Sequence, residues 1–271
     1  MSMQKEEYLN GVMKNYKQKI TNKFTETIIS ENLKLLHSPN VTIKKDLNGN
    51  KLILIYDNSL SKVLIYNSTL HDVEIEMKKT NSDKIDNYKK TNNLTGCLTI
   101  IDSQIRNLSI NANNFFCEDT VNFIRSSGTI NKITISNAFR DAIDADFSEL
   151  EFNEIDINNA NNDCLDLSFG NYTVRKILLN NCGDKGISIG ERSNFVLNQL
   201  IVKNSNIGIS SKDGSIATIH KANISDVNTC VSSYNKKQEF NGGIISFNKF
   251  NCRAFQKKFY VDKFSKIVGI N

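Results

Sequence analysis

Four strings decide the fold: DAIDADF (141–147), NNDCLDLS (161–168), GDKGISIGE (183–191) and SSKDGS (210–215). They belong to a register that repeats every 22 residues. Val121, Ile143, Leu165, Ile187, Ile209 and Val231 are all aliphatic, and the residues just after them (Asn122, Asp144, Asp166, Ser188, Ser210, Ser232) are all small and polar. The residues just before them, Thr120, Ala142, Cys164, Gly186, Gly208 and Cys230, are all small. Further apolar columns run through Ile130, Phe152, Val174 and Val196, and through Ile135, Ile157, Leu179 and Ile201. Asn137, Asn159 and Asn181 form an asparagine column. Inside each unit the apolar residues alternate, which is the period of a strand and not of a helical repeat. A leucine-rich framework is absent. The remaining solution is a solenoid in which like residues stack one strand spacing apart, ~4.8 Å.

Working outward, the reading is an all-β, right-handed parallel β-helix of about nine 22-residue coils, since parallel crossovers are normally right-handed. Tyr8, Val12, Met13, Tyr16, Ile20, Phe24, Ile28 and Ile29 recur at helical spacing, so residues 3–36 are expected to form a helix capping the stack. This divides the chain into a capping segment, 1–40, and a β-helix domain, 41–271. The stretch Lys78 to Lys90 reads as a charged loop, and Tyr234 to Gly243 breaks the period as a loop before the last coil. The 39 asparagines, many at the expected turns, are then partly structural, because Asn tolerates left-handed turns.

Composition excludes several classes. At 39% hydrophobic residues the chain is not disordered. No apolar run is long enough to span a membrane. Three histidines cannot build a multi-histidine metal site. The net charge of +5 reads as dispersed and without interleaved aromatics, so no nucleic-acid partner is expected. The N-terminus has no apolar leader, so the chain as written reads as cytoplasmic, or as extracellular if it is a module of a longer protein. The six cysteines form no CxxC and are expected to be reduced and buried. Solenoid ends can stack, so a homo-oligomer is open.

Chemistry concentrates on one strand face. If Ile143 and Leu165 point inward, Asp144 and Asp166 point outward on neighbouring coils, and Asp146 shares their face. Close carboxylates raise one another's pKa, which suits an acid–base pair of the glycosidase kind. The same three aspartates are candidate ligands for Ca²⁺, a cation that prefers oxygen. A bound Ca²⁺ would acidify a uronate α-proton, with Lys185 or Lys212 as base, as in β-elimination. Asp144, Asp146 and Asp166 are therefore the candidate catalytic and metal residues, with Asp163, Lys185 and Lys212 in support. The competing reading is a solvated polar face balanced by Lys185, Lys212 and Arg140.

The 22-residue coil, the asparagine column and the stacked aliphatic columns resemble the right-handed parallel β-helix superfamily, the pectate-lyase-like fold, over about residues 41 to 252. NNDCLD (161–166) is similar to the aspartate strand of its pectinase-type glycosidases. Their Gly-His-Gly and Arg-Ile-Lys motifs are absent. The four strings also look similar to β-helix modules of bacterial polysaccharide-associated proteins. The resemblance implies a polysaccharide or oligosaccharide partner and lyase or glycosidase activity. The alternative is a non-catalytic glycan-binding or scaffolding solenoid, as a module of a polysaccharide-biosynthesis protein.

Overall fold

The computed structural model describes residues 24–46, 50–58, 61–80 and 94–269. These residues wind into an all-β parallel solenoid of about nine coils with 22-residue spacing. Among the described residues no helix is long and apolar enough to cross a membrane.

The stack opens on antiparallel strands instead of the expected helix. Thr25–Ser30 pairs with Leu33–His37, which in turn lies antiparallel to Val63–Tyr66. Val41–Lys45 and Lys51–Tyr56 form a second antiparallel pair, after which strand pairing is parallel. The helical reading of 24–36 is therefore corrected. Thr25, Thr27, Ile28 and Ile29 are β-branched and lose rotamer freedom in a helix. Leu33, Leu35 and His37 alternate inward with period two. The expected helix before Phe24 lies outside the described residues. So does the charged loop beyond Thr80, whereas Lys78 and Lys79 end the strand Glu74–Lys79.

The aliphatic column Val121–Ile143–Leu165–Ile187–Ile209–Val231 is in register on successive coils and fully buried. The column before it must be small: a Cβ on Gly186 would sit 2.5 Å from the Gly208 carbonyl oxygen. Two expected columns slip by one residue. Val174 pairs with Leu197, not Val196, and Leu179 with Val202, not Ile201. Val196 and Ile201 are each 38% exposed. The slip follows an extra residue at the turn Glu191–Arg192, where both residues adopt positive φ, and the ladder recovers between Cys182 and Lys185.

Asn137, Asn159 and Asn181 all adopt left-handed backbone at one corner, as do Asn114 and Asn204. The amide of Asn159 donates to Asn137 at 2.8 Å, and Asn204 donates to Asn181. The cysteines are not reduced. Cys97–Cys117, Cys164–Cys182 and Cys230–Cys252 are disulfides with Cα separations of 5.5, 5.5 and 6.4 Å. Coiling brings each pair together across different columns, so linear spacing carried no signal of it.

Candidate functional site

The site lies on the front sheet, where the strands Gly96–Ile101, Asp119–Ile124, Asp141–Asp146 and Leu165–Ser168 stack in parallel. The C-terminal ends of the strands Asn171–Gly190, Asn194–Lys212 and Ile216–Tyr234 continue that stack. Asn122, Asp144, Asp166, Ser188, Ser210 and Ser232 are consecutive partners along its floor. Asp146 faces Ser168 on the next coil, and Asp119 faces Asp141. The structure thus brings Asp144, Asp146 and Asp166 together as the repeat implied.

The floor is not a solvated face. Thr99, Asn122, Ser188, Ser210 and Ser232 are at most 2% exposed, and Lys212 is buried, while Asp144, Asp146 and Asp166 are half-buried. Leu64, Leu94 and Ile101 cluster with Tyr66 and Ile124 over its N-terminal end. Lys212 folds back past Gly190, which has no side chain to obstruct it, and donates to Ser188 at 2.8 Å. The 234–243 loop is pinned beside this floor. Asp213 accepts the backbone N–H groups of Lys236 and Lys237, each at 2.7 Å. Lys237 pairs with Glu191 at 2.6 Å, and Phe240 meets Phe169 edge-on.

Cations do not balance the central acids. Lys185 pairs with Asp163 at 3.3 Å and with Asp184, while Arg140 reaches Glu118 at 3.8 Å. Among the described residues, Asp144, Asp146 and Asp166 have no cation within ion-pair distance. Burial, then Asp146, Asp119 and Asp166, push the Asp144 carboxyl well above its ordinary value. Burial and the neighbouring Asp166 and Glu191 push Asp146 up to about 6. Burial also lifts Asp119 and Asp141 to about 6, against the hydrogen bonds each accepts. Asp163 rises to about 7, because its burial outweighs Lys185. Lys185 is partly buried, yet Asp163 and Asp184 hold its ammonium charged above the usual lysine range.

The Asn122 amide nitrogen lies 3.0 Å from the Thr95 hydroxyl and 3.2 Å from both Asp119 and Asp144. Two hydrogens cannot serve three acceptors. Eight buried side-chain polar atoms among the described residues lack a partner, and five belong to this one column: Thr99, Asn122, Asp166, Ser210 and Ser232. Buried polar groups are normally satisfied, so water or another external group is needed to complete this column.

Sequence reasoning missed three participants, Asp119, Lys237 and Lys62. Asp119 was legible, since Asp119, Asp141 and Asp163 lie 22 apart. The Glu191–Lys237 pair was not, because it spans the loop that breaks the period. Lys62, buried and depressed to about 8 by that burial, comes from an irregular early coil and feels Asp119. Cys164 is bridged to Cys182 and is no nucleophile. Among the described residues no three His, Cys, Asp or Glu side chains form a group that could hold a metal ion. Compared with family models, curated proteins and solved structures, the chain matches none.

Proposed function

We propose that this is a carbohydrate-active β-solenoid whose front groove hydrolyses a glycosidic bond in a polysaccharide. Asp144 is the general acid and Asp166, on the next coil, the partner carboxylate, with Asp146 tuning both. The observation that carries this reading is the stacking of Asp144 on Asp166 in neighbouring coils, with burial and then Asp146 holding the Asp144 carboxyl well above its ordinary value. Hydrolysis is favoured over β-elimination because Lys185 is a charged partner of Asp163 and Asp184, not a free amine base. Asp163 accepts the Lys185 backbone N–H at 2.9 Å and supports the site from its edge. Lys212 and the serines extend the groove toward an extended hydroxylated chain.

The second reading, a non-catalytic glycan-binding module of a bacterial polysaccharide system, rests on the aromatics. Phe147 and Phe169 stack on each other at 4.7 Å and 4° and are each 38% exposed, an apolar ledge that a sugar can lie against without being cleaved. The three disulfides favour an oxidising, extracellular location for either reading.

The deciding experiment measures reducing ends released from neutral and acidic polysaccharides by wild type, Asp144→Asn and Asp166→Asn, with and without Ca²⁺. The hydrolase reading expects release that both variants lose. Activity that survives either change sinks the assignment. Binding without release, lost in the variants, replaces it with the second reading. A rate gain with Ca²⁺ that Asp146→Asn abolishes would support Asp144, Asp146 and Asp166 as its ligands.

A further inference from the structure

The last coil differs from every other part of the chain. The whole sequence has 34 cationic and 29 acidic side chains. Residues 244–269 hold six of the cations (Lys249, Arg253, Lys257, Lys258, Lys263 and Lys266) against one carboxylate, Asp262, which leaves 28 of each elsewhere. Residues 244–269 thus carry +5, against +3 on residues 1–23 and −3 on residues 24–243, so positive charge is concentrated on this end of the solenoid. All six cations are exposed.

The same coil is apolar where it meets solvent. Twelve large hydrophobic side chains are exposed among the described residues, and six are here: Ile244, Phe255, Tyr260, Val261, Phe264 and Val268. Phe264 is the most open of these six at 61%. The cations lie against aromatic rings, with Lys257 4.7 Å from Tyr260 and Lys263 4.8 Å from Phe264. On its outer side the strand Ile244–Val261 pairs only through Ile244–Ser246, with Lys266–Val268. From Phe247 to Val261 that edge is open among the described residues.

We propose that this end docks on an anionic lipid surface. Lysines among exposed Phe, Tyr and Val match an anionic headgroup layer, where ammonium groups meet phosphates and the apolar tips enter the interface. A second copy is disfavoured, because two such ends repel and edge lysines block strand addition. Five of the six cations are Lys and only one is Arg, and the valines offer nothing to a base, which argues against nucleic acid. The proposal is independent of the acidic groove.

The test is co-sedimentation with phosphatidylcholine vesicles with and without phosphatidylglycerol, at low and high salt. Binding is expected only to the anionic vesicles, with release by salt. Lys257→Glu/Lys258→Glu/Lys263→Glu should lower partitioning at least ~100-fold, at about fivefold per lysine. Phe264→Ser/Val268→Ser leaves the charge unchanged and should cost about tenfold. Arg106→Glu/Arg175→Glu, on exposed positions of middle coils, should cost far less than the terminal triple variant. The proposal fails if neither vesicle pellets the protein, or if the middle-coil variant loses as much. It also fails if the terminal residues mediate a concentration-dependent dimer or RNA binding without vesicle binding.

Discussion

Two charged columns run along this solenoid at the same 22-residue step and behave oppositely. On the flank, Glu154 lies between Lys132 at 2.8 Å and Lys176 at 3.2 Å on the coils before and after it. Hydrogen bonds from both lysines hold its carboxyl below the ordinary glutamate value. In the groove, Asp144 follows Asn122 and precedes Asp166, with Asp146 beside it, and its carboxyl is driven up. The fold permits alternating charge along a column and uses it where stability is all that is needed. Stacking carboxylates on one another is therefore a feature of the front sheet that the repeat does not impose, and it costs stability.

The largest expected effect breaks the comparison at the groove. Asp144→Asn should lower glycan turnover by ~10²–10⁴-fold, the range of a lost general acid, without lowering the melting temperature. A matching loss in Glu154→Gln would erase the distinction between the columns. Next, the Cys164–Cys182 bridge closes the coil that carries both Asp166 and Lys176. Replacing both cysteines with serine should cost about 3 kcal/mol in a denaturant titration, for a loop of this length. Both columns should loosen together; amide exchange rising in only one would show that they are not braced by the same coil.

The sign of the pH dependence sharpens the contrast. Asp146 has its folded pKa raised to about 6, so the native state binds more protons than the unfolded chain between about 4 and 6. Its ionisation is destabilising, and stability falls as pH rises through that window. Asp146→Asn should therefore stabilise the protein at pH ~7.5, by about 2 kcal/mol at most, and much less at pH ~4. Glu154, with its pKa lowered, contributes stability above its unfolded value that is lost on acidification. Glu154→Gln should be the smallest effect, a loss under about 1 kcal/mol near neutral pH. Thermal melts of the two variants would show opposite signs at pH ~7.5 and converge toward wild type at pH ~4, and equal signs at pH ~7.5 would refute the contrast.

Much of the architecture was legible because stacking converts sequence periodicity directly into contact. Val121 through Val231, the acidic column and the asparagine corner all followed from one step length. The failures mark where that conversion stops. A single extra residue at Glu191–Arg192 moved Val196 and Ile201 outward and Leu197 and Val202 inward. The first strands pair antiparallel, outside the repeat, so a chance helical spacing through Phe24 and Ile28 was followed too far. At the site, the positions of Asp144, Asp146 and Asp166 were readable, but their burial was not. Asp146 feels Glu191 and Lys237, which the 234–243 loop brings together and which the period does not encode.

The most direct test is a carbon-detected NMR titration of the side-chain carboxyls. Asp144, Asp146 and Asp163 should titrate above the ordinary aspartate range, with Asp146 near 6 and Asp163 near 7, while Glu154 titrates below ordinary glutamate. If all four titrate near their unperturbed values of ~4, the groove is an ordinary solvated face and the acid–base account falls.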